Sequence, residues 1–270
     1  VTLSQPLFVI GAPRSGTTFL VQLLNRHPAI HITNETRIFV LLKEMIEIRS
    51  RHQWLLETPY QERFATFVRR HAGAWVEQFY REELGISRPI WGDKHPHYAD
   101  PMVLEDEAKR VPGAPSGSCL TLIRDCLPRA KFIHLHRDPC RVVFSLAQKK
   151  WVGSIDEGAL VWRRHVEECH GFSDALGEGQ CLSIAYADLL QRPTQALSAI
   201  VNLLALPDVG EMANFLAEQR RNPTPMSAPV TDLGAPDTFS LQADVEARIL
   251  ELAGPAAARL GYASRKGQAR

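Results

Sequence analysis

Arg14, Ser15, Thr17 and Thr18 stand together in the stretch PRSGTT, bracketed by Gly11 and Gly16. A guanidinium and several hydroxyls in one tight turn make a site for an oxyanion, because each offers a donor to a charged oxygen. Leu7 to Ile10, just before, have the length and branching of a buried strand, while Phe19, Leu20, Leu23 and Leu24 repeat as one helical face. The turn therefore sits at a helix start. There the backbone N–H groups of Arg14 to Thr18 lack intrahelical partners and meet the positive end of the helix dipole, a socket that phosphate or sulfate fits. Gly11-x-x-x-x-Gly16 followed by Thr17 and Thr18 nearly matches a triphosphate-binding loop, but Thr17 replaces its lysine and the cation comes earlier, as Arg14. That substitution argues for an anion of fewer phosphates, clamped by a planar guanidinium and hydroxyls. A strand-to-helix turn with polar caps has the same local pattern.

Three further stretches carry reactive groups. KFIHLHRDPCRVVFSLAQKKW puts Arg137 at a strand end and Ser145 eight residues later on the following helix. GDKHPHYADP holds Lys94, His95 and His97, and NETR holds Glu35. With these residues in hand, PRSGTT after a strand resembles the 5′-phosphosulfate loop of sulfotransferases that use 3′-phosphoadenosine 5′-phosphosulfate (PAPS). In that family a later strand ends in Arg-Asp/Asn-Pro, and a serine eight residues on joins the arginine at the 3′-phosphate. Arg137 and Ser145 match both the order and the spacing, about 120 residues after the loop.

The resemblance implies a role for each motif. Arg14, Ser15, Gly16, Thr17 and Thr18 would hold the phosphosulfate, with Arg14 also stabilising charge on the leaving phosphate. Lys94 resembles the lysine of the family's Asp/Glu-Lys-x-Pro segment, which approaches the bridging oxygen and the sulfonate. Asn34-Glu35-Thr36-Arg37 resembles the Glu-Glu-Thr-Arg of tyrosylprotein sulfotransferases and points to Glu35 as the base that takes the acceptor proton. His95 and His97 are rivals, since cytosolic sulfotransferases use a histidine close after their lysine. DKHPHYADP also resembles the Asp-Lys-x-Pro-x-Tyr of sulfotransferase modules in polyketide synthases. Tyr186, in a segment resembling Tyr-Glu-Asp-Leu but with Ala187 for the glutamate, would neighbour adenine; it could equally close a core strand. The implied donor is PAPS, the implied product 3′,5′-adenosine bisphosphate (PAP), and no metal is implied. Arg265-Lys266-Gly267 resembles a phosphate-binding segment but trails the last helix and reads as a solvated tail.

The elements that must position these residues alternate strand and helix: strands near Leu7 to Ile10, Pro89 to Gly92, Phe132 to His136 and Cys181 to Tyr186. Such alternation predicts a single α/β domain over 1–270 with a central parallel sheet flanked by helices, ligands gathering at the carboxyl ends of the strands. The resemblance adds a P-loop-like sulfotransferase fold. Asn34 is expected to cap a helix with Glu35 in its first turn. Residues 51–88 read as a helical insertion with Phe64, Phe67, Val68, Trp75 and Phe79 on one side, mostly as core packing and in part shaping the acceptor pocket. Helices are expected to about Lys150, over Asp156 to Leu176, and over Leu241 to Leu260; 222–239 reads as a long mobile loop, and the resemblance to sulfotransferases implies that it covers the nucleotide.

A formal net charge of +1 on 270 residues, 45% of them apolar and 23% charged, gives no global signal for nucleic acid or a membrane surface. No stretch has membrane-spanning length. The positive field is local: Arg14, Arg37, Lys94, Arg137, Arg141, Lys149 and Lys150 lie in or beside the motifs. Five cysteines, odd in number and without CxxC spacing, indicate neither a complete disulfide set nor a zinc site, so a reducing, cytoplasmic setting is expected, or a module excised from a larger protein. The expected acceptor is a hydroxyl on a small molecule, an acyl-carrier-bound chain or a peptide; the oligomeric state is not readable. Two other readings stay open at this level, a P-loop small-molecule kinase and a non-catalytic nucleotide-binding module.

Overall fold

Successive residues of the first strand face opposite ways, and this alternation divides the core. Leu7 and Val9 enter one apolar cluster while Phe8 and Ile10 enter another, as befits a strand buried on both faces. The computed structural model describes residues 4–47, 60–104, 117–221 and 241–262. Its strands are β1 (Gln5–Ile10), β2 (Ile30–Asn34), β3 (Ile90–Lys94), β4 (Lys131–His136) and β5 (Cys181–Ala185). All pairings are parallel, in the order β2-β3-β1-β4-β5. β1 is central; the chain crosses from it to the edge strand β2, returns to place β3 between them, and then adds β4 and β5 on the other side. The crevice at such a switch point, beyond the strands' carboxyl ends, is where ligands bind in open α/β sheets.

The helices are α1 (Thr17–Leu24), α2 (Ile38–Glu47), α3 (Gln61–Gln78), α4 (Leu120–Cys126), α5 (Pro139–Gln148), α6 (Ile155–Asp174), α7 (Tyr186–Gln191), α8 (Pro193–Leu204), α9 (Met212–Arg221) and α10 (Ala243–Arg259). α1, α7, α8 and α9 pack on one sheet face through residues such as Leu20, Leu189, Ile200 and Phe215. α2, α3 and α4 cover the other through Phe39, Val68 and Ile123. α5, α6 and α10 meet around Val142, Trp162 and Ala253. The starts of the helices nearest the motifs are locally specified. Asp138 accepts the Arg141 N–H with Pro139 in the first turn of α5, and Ser154 Oγ accepts the Glu157 N–H to open α6. No helix among the described residues is long and apolar enough to cross a membrane.

The expected α/β architecture holds, with several corrections. Asn34 closes β2 instead of capping a helix, and Glu35 lies in the turn before α2, not in its first helical turn. On α3 the buried side is Ala65, Val68, Ala72 and Val76, whereas Phe64, Phe67 and Trp75 are each over two-fifths exposed. Small aliphatic residues let α3 lie close to its neighbours, and the aromatics pack on one another outside, Phe67 against Trp75 at 6.2 Å. Tyr186 begins α7 instead of ending β5, and α10 is kinked at Gly254 by Pro255, which has no N–H to continue the helix. The loop expected over 222–239 and the Arg265-Lys266-Gly267 segment lie outside the described residues.

Candidate active site

Every strand of the sheet delivers a residue to one cavity of about 550 Å³. Glu35 follows β2, Lys94 ends β3 with His95 next, Arg14 to Thr18 follow β1, Arg137 follows β4 and Tyr186 follows β5. The volume suits a nucleotide-sized ligand. Arg14, Glu35 and Arg37, all lining this cavity, have positive φ values of 69°, 65° and 62°. That backbone costs a non-glycine residue roughly 1–3 kcal/mol and persists where the surrounding contacts impose it.

One end of the cavity is built from the β1–α1 turn and the segment that runs from Arg137 through α5 to Trp151. Arg14 Nε donates to Ser145 Oγ at 2.9 Å, joining motifs 131 residues apart, and its guanidinium lies 5.4 Å from the Trp151 ring centre. Arg137 Nη1 donates to the Arg14 carbonyl at 3.4 Å, and its guanidinium sits 4.9 Å from the centre of the Tyr186 ring. Burial pulls both guanidinium pKa values below ordinary, in Arg137 against the opposing pull of Tyr186. The Tyr186 ring lies so close to Gly16 that a Cβ there would meet Cδ2 at 2.4 Å. Gly16 is thus required twice, by this contact and by its φ of 93° at the start of α1, where no side chain caps the helix. The anion socket expected from Arg14 to Thr18 needs one correction, since the Ser15 N–H is spent on the Ala12 carbonyl at 3.2 Å. Ser15 Oγ, however, is fully buried with no hydrogen-bond partner. A buried hydroxyl left in that condition is costly, and a phosphate or sulfonate oxygen would satisfy it.

The other end is knit across β2 and β3. Asp93, fully buried, accepts from Thr33 Oγ1 at 2.9 Å, Thr36 Oγ1 at 2.7 Å, the Thr36 N–H at 3.1 Å and Tyr98 Oη at 2.8 Å. Burial raises its pKa, and these donors oppose the rise. They bind the turn carrying Glu35 to the strand end carrying Lys94, and the Glu35 N–H completes the link by donating to the Lys94 carbonyl at 2.8 Å. The side chains then meet as an ion pair, Lys94 Nζ to Glu35 Oε1 at 2.7 Å. Partial burial pushes the Glu35 carboxyl up, but the Lys94 hydrogen bond and charge, with His95 and His97, leave it below the ordinary carboxylate value. His95 is buried, its pKa pushed down to about 4 by desolvation and by His97, while His97 is exposed and lines the cavity.

The structure therefore gathers all the residues singled out in the motifs except Ser15 and Ser145 onto the cavity lining, and those two sit directly behind it, one beneath the loop and one bonded to Arg14. Sequence reasoning missed Asp93, Trp151, Asp100, Arg164 and His165. Asp93 carried a signal, as the acid preceding Lys94; Arg164 and His165 sit in a helix whose pattern reads only as amphipathic. Of the stretch 51–88, none of the described residues lines the cavity, and 51–59 fall outside the described residues.

Comparison with known proteins agrees with this geometry. The sequence model of the sulfotransferase family matches residues 6–210, well over half of the chain. A protein-tyrosine sulfotransferase of Drosophila melanogaster is 24% identical over 215 residues, covering 74% of this chain and 38% of that protein. The chain thus spans well under two thirds of that relative's length. Among solved structures, the sulfotransferase domain of the Synechococcus PCC 7002 olefin synthase aligns over 97% of this chain and 96% of its own, with a TM-score of 0.60 and 20% identity. The sulfotransferase domain of the curacin biosynthetic pathway covers 97% and 99%, with a TM-score of 0.56 and 18% identity. At such identities these two speak for the fold alone, and the fold is the sulfotransferase one. The family match, resting on the stretch that carries the phosphate loop, the Glu35–Lys94 pair and the Arg137–Ser145 pair, places the chain in the sulfotransferase family.

Proposed function

We propose that this protein transfers a sulfonate group from PAPS to a hydroxyl acceptor, with Glu35 as the base. The observation that carries the reading is the direct bond between Arg14 and Ser145, which brings the two phosphate motifs together at one end of a cavity whose other end holds the Glu35–Lys94 pair. The donor supplies an activated sulfonate on a phosphate leaving group; the rest is binding, alignment and proton handling by the chain. Arg14, Ser15 and the first-turn N–H groups of α1 hold the phosphosulfate end, and Arg137 and Ser145 hold the 3′-phosphate. Both sets lie around the switch point between β1 and β4, so a donor gripped at both phosphates is fixed lengthwise.

The ion pair explains the proton chemistry. Glu35, held ionised by Lys94, accepts the proton of the acceptor hydroxyl as the new O–S bond forms and the old S–O bond to phosphate breaks. Protonation removes the counter-ion of Lys94 just as negative charge grows on the leaving oxygen. The ammonium is then free to stabilise that charge, an interaction stronger in the transition state than in the ground state. The acceptor we propose is a hydroxyl on a peptide or on a carrier-bound chain, in keeping with the tyrosylprotein relative and the synthase-domain neighbours. Incubation with PAPS and panels of tyrosyl peptides and carrier-bound hydroxyacyl chains, read by mass spectrometry, tests it. A gain of one sulfonate with release of PAP is expected. Failure of PAP to bind in calorimetry would overturn the donor assignment.

A further inference from the structure

We propose that His97, Asp100 and His165 form a binding site for a zinc-class divalent cation in the wall of the same cavity. Their donor atoms all lie within 4.8 Å of one another. His165 Nε2 and His97 Nδ1 each stand 3.7 Å from the same carboxylate oxygen, Oδ2 of Asp100. That separation is too long for a hydrogen bond but close to the spacing of neighbouring ligands around one small cation.

The hydrogen bonds around the three residues leave the right atoms facing inward. His165 Nδ1 is 2.7 Å from the Val161 carbonyl, which can only accept, so that nitrogen carries the proton and Nε2 carries a lone pair. Metal-bound histidines are fixed in the same way by a carbonyl on the far nitrogen. Nε2 is fully buried and has no hydrogen-bond partner. That lone pair faces a carboxylate oxygen 3.7 Å away, an arrangement that a cation between the two would satisfy. Asp100 Oδ1 is occupied by Arg164 Nε at 3.0 Å and the Met102 N–H at 3.0 Å, whereas Oδ2 accepts only Arg164 Nη2 at 2.9 Å among the hydrogen bonds described here. Oδ2 retains a lone pair, and Arg164 acts as the outer support that orients a ligating carboxylate. Two imidazoles and one carboxylate favour zinc-like ions over magnesium or calcium, which prefer all-oxygen sets. Because His97 is the exposed member and lines the cavity, the fourth position opens toward the acceptor end.

This inference stands apart from sulfonate transfer, and its test reads metal binding, not turnover. The probe is cobalt(II), titrated into the full chain and followed by its visible absorption, with zinc then used to displace it. One equivalent with a tetrahedral-type spectrum is expected. His97→Ala, an exposed change that leaves the core intact, should weaken cobalt binding by at least about tenfold, and Asp100→Asn by a similar factor or more. His165→Gln should do the same if circular dichroism shows it folded. No tetrahedral spectrum in the wild type, or unchanged affinity in His97→Ala and Asp100→Asn, would overturn the site and leave the ion bound elsewhere on surface histidines or cysteines.

Discussion

The two ends of the cavity treat their cations differently. At the donor end Arg14 leans on a hydroxyl and an aromatic face, and Arg137 on a carbonyl and the Tyr186 ring. At the acceptor end two cations meet acids directly, Lys94 with Glu35 and Arg164 with Asp100. A hydroxyl and a ring hold the Arg14 guanidinium in place without cancelling its field, which suits an end that takes a polyanion. Direct ion pairs cancel that field and fix protonation states instead, which suits an end where a proton must move. The cavity is thus divided between binding charge and managing charge.

Substitutions can break this division in order of expected effect. Glu35→Gln keeps shape and hydrogen bonding but removes basicity, and should cost roughly 100- to 10,000-fold in kcat while the donor still binds. His95→Asn and His97→Asn should lose far less; the reverse ranking, measured in the same assay, would move the base to an imidazole. Arg14→Ala should lower kcat by about 100- to 1,000-fold, the scale of losing one donor to a developing oxyanion. Should only donor Kd change, Arg14 binds and does not assist the transfer. Arg137→Ala should weaken PAP by roughly 1.5–3 kcal/mol in calorimetry, the range for hydrogen bonds to charged groups. Affinity for the analogue lacking the 3′-phosphate should stay unchanged, and an equal loss for both would detach Arg137 from that phosphate.

The pH response is the gentlest test and separates activity from stability. Glu35 lies below its ordinary value of 4.5, so kcat/KM should stay flat between about pH 8 and 6, with no inflection near the free imidazole value of about 6.5. His95 and His136 have folded values of about 4 against 6.5 when free. Between those values the unfolded chain binds more protons, so stability present at neutral pH is lost as pH falls through 6.5 toward 4. A Tm that drops through this window while kcat/KM holds at its upper edge is the expected result. A constant Tm would mean that these rings are not buried neutral in solution.

How much of this was legible depended on sequence distance. The Arg14 loop, the strand before it and the helix after it are one contiguous stretch, and its turn chemistry could be read directly. The Arg137–Ser145 spacing is a single strand-to-helix junction and was equally readable. The α3 helix could be found but only partly oriented: Phe67, Val68 and Trp75 read as one core side, yet of these only Val68 is buried, alongside Ala72 and Val76. A helix offers two apolar stripes there, and only its neighbours choose between them.

Local spacing therefore determined the phosphate loop and the strand–helix alternation, because each rests on residues whose geometry is set within one or two turns of chain. Tertiary structure alone decided the rest. The Glu35–Lys94 pair spans 59 residues and depends on β2 and β3 lying side by side with Asn34 opposite Lys94. The contacts of Asp100 with Arg164 span 64 residues and exist because α6 packs beside the segment after β3 and lines the same cavity. Such meetings follow from strand order and helix packing, long-range choices made by the whole core, which no short window of sequence contains.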